Sequence, residues 1–590
     1  MKGSWPIAQR VHEHLAAGLP VELPDFEQEE PPENDQKRRI PAAWISELVE
    51  QPKGVISRPI FVSNAIITGD LEIRYGEFQA DVTFTGCLFR GKVDFSFCIF
   101  CKAAAFSGSQ FEKDLSMRGI CARADLEWTG TEFNGDLDCS GMAVKYNLRA
   151  EGARFQKCSL QAASIGGQAV FKESTTAPAH FRKEASFDLM EVSGGLFLSE
   201  ARFDGYVNFM DATIKHCAEF DSAVFNGKTQ MDGLVIDGDA HFERAQFTVN
   251  SDDERADRIR FPGIRVAGQG IFDRAQFGGD VRFDQACFMS EAFFESTQFK
   301  GSTRFDGASF SGLTRFTRNK GDDTGTDGGP TRFMSGVNFA GAKASADVHF
   351  EGAQFRGDTS FRDANFKVVY FGDSVRKNSP RGETPQFDGG AKLDLRGFSY
   401  DRIFLAWGEA LDLLEPYDVQ PYRQMERAFR TIGKDRDADK VYLKQRRRAL
   451  WYDCQHPTRW LLAAGGLLYW VLARFGVRPL RLAVIPLVMV GYSAFVFSLP
   501  NAVKLKKDSD CVQHTLSWSE AFSVSLSYFL PVEVPVGACW QATNETFQPA
   551  PISAQIRFVL WATLLKLSGW ILVPLGVAAL GGFLRRDPSR

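Results

Sequence analysis

Along residues 65–374, apolar side chains recur at every second position in runs of two or three, separated by polar residues and glycines. The chain falls into lines of eleven residues, among them ARFDGYVNFMD (201–211), ATIKHCAEFDS (212–222), AVFNGKTQMDG (223–233) and LVIDGDAHFER (234–244). In the template A-x-F-x-G-x-V-x-F-x-x, position one is small, three and nine are large and apolar, and five is often Gly. This register covers 65–163, 190–244, 264–318 and 342–374, twenty-two units in all. Alternation at one, three, seven and nine places side chains on one face of a strand. A helix would need apolar residues at i, i+3, i+4 and i+7, and the lines do not supply them.

Each line divides into two pentads and a spare residue, so each pentad predicts a short strand followed by a turn. One line per coil would enclose a tube too flat for two Phe rings per level. Two lines per coil give four sides around a core wide enough for four rings. That predicts eleven coils and, at ~4.8 Å per coil, a length of about 50 Å. The rings expected to stack inside include Phe203, Phe209, Phe220, Phe225, Phe242, Phe247, Phe277, Phe283, Phe288, Phe294, Phe299 and Phe305.

From Ala65 to Leu395 the pattern resembles that of pentapeptide-repeat proteins, whose motif is A-(D/N)-(L/F)-x-x. The resemblance implies a mainly β fold, a right-handed quadrilateral β-helix. The spare residue and the preference for Phe over Leu depart from the commonest form of the motif. Polar, turn-rich stretches interrupt the register at about 172–186, 248–262 and 319–334, and such insertions are expected at an edge of the solenoid. Residues 1–64 are expected to form a polar segment with a short capping helix, PAAWISELVEQ, because an open solenoid end exposes unpaired strand edges.

After a solenoid spanning 65–400, a helical neck is expected over 401–458. Tyr422, Met425, Phe429 and Ile432 fall on one helical face and Gly433 stops it, while Ala438, Val441, Tyr442 and Ala449 mark a second helix. Lys440, Lys444, Arg446, Arg447 and Arg448 precede the first apolar run, and Arg474, Arg478 and Arg481 follow it. Basic clusters of this kind are expected beside an anionic inner leaflet.

The last part, 459–590, reads as a membrane domain. Residues 460–473 are too short to span and suit the interface; 482–500 and 558–584 are the expected spans, with both termini inside and 501–557 in the periplasm. This places the chain in an inner membrane, multi-pass, with a cytoplasmic solenoid. Cys511 and Cys539 lie in the oxidising loop and are a candidate disulfide. LSWSEAFSVSLSYFLPVEVPVG (516–537) resembles the pore helix and re-entrant loop of two-span cation channels in layout. The candidate pore-loop positions are Leu526, Pro531, Glu533, Pro535 and Gly537; the filter sequence T-V-G-Y-G is missing. A short interfacial helix without a pore is the preferred reading. Lys566, inside the second span, is a candidate in-membrane charge.

Composition changes the picture little. A formal charge of −4 over 590 residues gives no electrostatic case for nucleic acid. Fifty-two Phe against 12 Tyr suits rings stacked in a dry interior. The repeat cysteines are irregularly spaced and read as small buried residues. Cys98 and Cys101 lack a second ligand pair, and His12 and His14 are expected to be solvated. Residues 323–328 resemble the opening of a calcium loop, but Met334 stands where the bidentate Glu belongs. No metal, cofactor or catalytic centre is expected. The expected function is a membrane-anchored scaffold, in contact with lipid, presenting the solenoid to a protein partner. The runner-up is an oligomeric, channel-like protein with the solenoid as regulatory domain.

Overall fold

The computed structural model describes residues 5–23, 38–49, 54–172, 178–248, 259–319, 328–372, 386–387, 390–404, 411–455, 459, 466–467, 470, 481–506, 516–530, 534, 539–547 and 555–580. The chain divides into two compact units, Met1–Gln424 and Met425–Arg590.

The first unit is a repeat β-solenoid. Its strands pair in parallel within sheets of 28 and 27 strands. Each coil has four sides. Glu77–Phe78, Val82–Thr85, Leu88–Phe89 and Val93–Asp94 make one coil, and each lies against its counterpart two lines further on: Phe78 beside Phe100, Val82 beside Ala104, Phe89 beside Phe111, Val93 beside Leu115. We number the sides one to four in that order. Side one runs from Ile56 to Tyr400 through fifteen levels, where the sequence template predicts eleven. At ~4.8 Å per level the stack is about 70 Å long.

The extra levels come from both ends and from the predicted breaks. Val21–Glu22 pairs with Val62–Ser63, and Arg39–Pro41 with Ile66–Thr68, so residues 1–64 contribute strands as well as a cap. The cap is made of α1 (Trp5–Ala17) and α2 (Ala42–Ser46), the latter shorter than the helix predicted over 41–51. His12, expected to be solvated, bridges the two helices: its Nε2 lies 3.2 Å from Glu47 and its ring meets Trp44 edge-on at 5.1 Å. At the other end Leu411 and Leu414 are buried, and the Glu415 amide donates to the Leu393 carbonyl. Helix α3 (Val419–Thr431) follows. Its Gln420 and Gln424 side-chain amides donate to the carbonyls of Phe398 and Tyr400, supplying partners that no next coil provides.

The core is aromatic. Thirteen Phe rings, from Phe89 to Phe387 on side three, stack in one unbroken column with centroids 4.5–5.3 Å apart and planes within 11°. A second column runs from Phe220 through Phe242, Phe272, Phe294, Phe316 and Phe350 to Phe371. A third joins Phe261, Phe283, Phe305, Phe339 and Phe361. Phe209 stacks on Phe187 and Phe288 on Phe310. Columns meet edge to face, as Phe272 and Phe283 do at 84°, the arrangement favoured by the ring quadrupole. The small position-one residues, such as Ala201, Ala212 and Ala223, are fully buried and make room for the rings. Position-five glycines have a steric cause: a Cβ on Gly91 or Gly227 would stand 2.0 or 2.1 Å from the carbonyl oxygen of the preceding coil.

The register is not unbroken over 65–163. Phe155 pairs with Phe133, two full lines earlier, but Cys158 pairs with Leu137, one residue short of that interval. A residue is lost where the strand Arg154–Ser159 runs straight through a corner, and the same happens in Asn365–Tyr370, between Phe366 and Val368. Strands also resume inside the predicted breaks, at His180–Phe181, Ala185–Ser186, Ile259–Arg260 and Arg332–Phe333. A further insertion, not predicted from the sequence, separates Tyr370 from Gln386.

In the second unit, α4 (Asp435–Gln455) buries Ala438, Val441 and Tyr442, after a turn at Gly433 with φ of +75°. Then come α5 (Arg481–Phe497), α6 (Trp518–Phe529) and α7 (Phe558–Leu580). Ser517 opens α6 with a capping box completed by Glu520. Two short antiparallel pairs, Val503–Leu505 with Trp540–Ala542 and Thr546–Phe547 with Ile556–Arg557, are additions to the predicted elements.

Candidate functional site

Two surfaces carry the candidate residues, one in each unit. On the solenoid, inward rows are spent on packing, so recognition is left to outward rows and corners. Extra residues enter the coil three times between sides two and three, after Phe171, after Phe316 and after Phe371, and twice between sides three and four, after Phe247 and, by two residues, after Phe387. Each insertion lies beside a ring of the core columns, and Phe155–Phe181, Phe247–Phe277, Phe299–Phe333 and Phe355–Phe387 remain stacked across it. Residues 173–177, 249–258, 320–327 and 373–385 lie outside the described residues.

Outward positions form ladders with one residue per coil. On side three Arg332 donates to Gln354, which donates to Gln386, at 3.3 and 3.2 Å. His180 meets Asp204 at 2.6 Å, and Arg202 and Asn226 donate to the same carboxylate. These bonds hold Asp204 at about 2, below the usual carboxylate range, against the opposing effect of burial. On side four Arg260, Arg282 and Arg304 are each paired with an Asp at 2.5–2.6 Å. Charge is therefore neutralised locally along the rod. A cavity of about 330 Å³ opens on side four near the last coils, lined by Ser302, Asn338, Thr359, Ser360 and Asp394; Lys392 and Glu415 pair at its rim.

At the corner after side four, Gly119, Gly141 and Gly233 occupy left-handed backbone, and Tyr75, Phe97, Ala162, Leu189, Asp211, Gln285 and Asp363 hold the same conformation with φ between +52° and +60°. Tyr75 is 71% and Phe97 46% exposed, and their rings stack at 5.2 Å with planes 8° apart.

In the second unit, α6 is packed between α5 and α7. Val490, Val496, Val524, Phe529, Phe558, Ala562, Leu565 and Leu572 form the shared core. Gly569 allows the closest approach: a Cβ there would lie 1.7 Å from the Phe529 carbonyl oxygen. The Trp561 indole donates to Ser493 Oγ at 3.1 Å across α7 and α5. Outward, Val484, Leu487, Val488 and Phe495 on α5, and Leu560, Leu564, Leu567, Trp570 and Ile571 on α7, are between 49% and 66% exposed. Among the described residues one helix, through Phe558–Leu575, is long and apolar enough to cross a membrane; Val484–Phe497 is apolar but shorter than the span predicted over 482–500, because the chain turns out of helix at Ser498.

Leu526 lies on α6 and is half-buried, packed against the shared core. Pro531, Glu533, Pro535 and Gly537 lie outside the described residues, as do Cys511, Arg474, Arg478 and nearly all of 460–473. Cys539 is disulfide-bonded. Cys98 is fully buried and its thiol donates to the Ile73 carbonyl, which leaves it facing away from half-buried Cys101. Burial pushes the Cys87 and Cys98 thiols up to about 12. Among the described residues no three His, Cys, Asp or Glu side chains are placed to share a metal ion. Lys440, Arg446 and Arg447 are exposed on α4, Lys444 and Arg448 half-buried, and Lys566 is exposed on α7; Arg481 opens α5.

The fold and these surfaces define a repeat β-solenoid followed by a C-terminal helical unit. No protein family model, no curated protein and no solved structure matches the chain.

Proposed function

We propose that this chain is a membrane-anchored scaffold: a pentapeptide-repeat solenoid that offers its outer ladders and insertion-bearing edge to a protein partner, held at an inner membrane by its C-terminal hairpin. The observation that carries the reading is the inverted surface of the second unit. α5 and α7 bury one apolar stripe against α6, and their opposite faces are apolar too. In water a face of that size is a liability; against acyl chains it costs nothing. The partner-binding part rests on the ladders, whose rigid spacing of one side chain per coil suits an extended surface, as in other solenoids. Within this reading, the disulfide of Cys539 lies on the non-cytoplasmic side.

The test is fractionation followed by anchor exchange. The full chain stays with membranes after alkaline extraction, and replacing residues 459–590 by an unrelated two-span anchor preserves binding of the captured partner. Release into the alkaline supernatant would overturn the anchor; loss of partner binding on exchange would move the function into the helical unit.

A second reading, an oligomeric channel, has one observation in its favour: α6 is wedged between two longer helices and ends where Gly569 admits its carbonyl. It requires more than one copy per particle in detergent and a conductance sensitive to Glu533→Ala. A monomer removes it.

A further inference from the structure

The outer face of α4 differs from every other exposed helix face among the described residues. Its buried seam is Ala438, Val441, Tyr442 and Gln445. On the opposite side, Lys440, Lys444, Arg447, Trp451 and Cys454 follow one another at spacings of four, three, four and three residues, the repeat of a single helical stripe. Trp451 is 65% exposed, and the neighbouring Tyr452 40%. Arg446, beside the stripe, is held over the Tyr442 ring at 5.3 Å. Lys440 pairs with Asp437; past that residue the stripe carries no acid until it ends. Many cations of the first unit stand singly or beside a carboxylate, whereas this face gathers them in one stripe that finishes in an exposed indole.

We propose that the α4 stripe is a recognition surface for anionic lipid headgroups, with Trp451 as its interfacial anchor. The inference rests on the membrane-anchor reading and specifies the lipid class that the anchor's cytoplasmic edge selects. Cations along one side meet headgroup phosphates, and an indole, apolar in its body with one N–H, settles at the depth where water gives way to acyl chains. The stripe from Lys440 to Cys454 is about 21 Å long at 1.5 Å per residue, so the helix lies along the surface and reaches several headgroups at once. The apolar segments follow it in the chain, which brings the Trp451 end, rather than the Lys440 end, next to the bilayer entry point.

Cys454 supplies the test, because it is an exposed free thiol on the same stripe while the eight other free cysteines among the described residues are buried or half-buried. The full chain, labelled there with an environment-sensitive fluorophore and checked by peptide mass analysis, is reconstituted into neutral phosphatidylcholine vesicles and into vesicles with about one-third phosphatidylglycerol. Emission shifts to the blue only in the anionic vesicles, and 0.5 M salt, with a screening length of roughly 4 Å, reverses the shift. The triple change Lys440→Gln, Arg446→Gln, Arg447→Gln abolishes it; since each basic side chain near an anionic surface is worth roughly fivefold in partition, the loss is on the order of a hundredfold in the bound-to-free ratio. Trp451→Ala weakens it with all cations in place. Equal emission in both vesicle types overturns the proposal, as does an equal shift produced by RNA in detergent without lipid. Resistance to alkaline extraction is measured on the same samples. A chain that inserts but shows no anionic preference sinks this inference alone, and a chain that does not insert sinks the anchor beneath it.

Discussion

The aromatic column makes a quantitative prediction. Phe225 is fully buried, stacked on Phe203 at 4.9 Å and on Phe247 at 4.7 Å, with Phe220 tilted against it at 6.2 Å. Truncation to Ala removes a large buried side chain, a change that costs about 3–5 kcal/mol in a well-packed core. Within that cost the two parallel stacks account for ~0.5–1.5 kcal/mol each. Coil pairing on either side resists collapse of the gap, so the upper part of the range applies, about 5 kcal/mol in all. In a solenoid that energy sits in nearest-neighbour interfaces, and a weak level uncouples the coils before it from those after it. Phe225→Ala therefore lowers the urea midpoint and divides a single unfolding transition into two, read by far-ultraviolet circular dichroism on the full chain in detergent. Phe225→Leu, which keeps most of the volume, costs about 1.5 kcal/mol or less. Gln246→Ala, outward on the same side, changes stability by ~0.5 kcal/mol at most. If Phe225→Ala proves no worse than Gln246→Ala, the column is not what holds the coils together.

Three further changes test separate features. Tyr75→Gly relieves left-handed backbone at an exposed corner and raises stability by about 1 kcal/mol in the same denaturation assay, because the side chain buries little there. Tyr400 ends the side-one row with a buried hydroxyl that has no partner, so Tyr400→Phe raises stability by about 1 kcal/mol and moves the midpoint up. Asp273 is pushed up to about 7, first by burial and then by Glu295 and Glu243 on adjacent coils, against the Glu295 amide and Asn319 that hydrogen-bond it. A carboxyl raised in the fold binds its proton more tightly there than in the unfolded chain. Its contribution is whole below about pH 4 and is lost as the pH rises towards about 7. Asp273→Asn flattens that part of the stability–pH curve; an unchanged slope would assign it to another group.

The solenoid was legible because strand alternation, a fixed line length and Phe abundance all point to one packing. The four-sided coil follows from ring volume alone, and Phe203, Phe225 and Phe247 occupy one column because a spacing of two lines returns each to the same side. What the lines concealed were departures that cost no ring. The corner lost between Phe155 and Cys158 shifts the register by one residue, yet Cys158 and Leu160 still point inward. The first coil leaves no trace in the pattern because Val21–Glu22 and Arg39–Pro41 are too short and too far apart to show a period. The same holds for Tyr75 and Phe97, whose aromatic type suggests the core although their corner position faces water. Apolar composition predicts helices over α5 and α7, but hydropathy along a chain does not report which stripe a third helix covers. That is why the place of α6 between them emerges only from the fold.

The insertions show where such a molecule can change without unfolding. Residues 248–258 separate Phe247 from Ile259, where an uninterrupted coil places only three between Phe225 and Thr229, and still Phe247 stacks on Phe277 at 4.9 Å with planes 7° apart. An insertion at a corner adds closure entropy that grows only slowly with its length, while the coils above and below remain bonded to each other. Three of the five share the corner between sides two and three, and the other two the next corner, between sides three and four. Grafting the residues between Phe316 and Thr331 into the equivalent corner after Phe294 leaves the Phe294–Phe316 stack at its present 4.9 Å spacing and moves the unfolding midpoint little. The same segment placed after Phe283, at the corner that follows side four, where no described coil departs from its pitch, disrupts Phe283–Phe305. Equal tolerance at both corners would mean that the shared edge reflects selection for a binding surface and not a mechanical property of the coil.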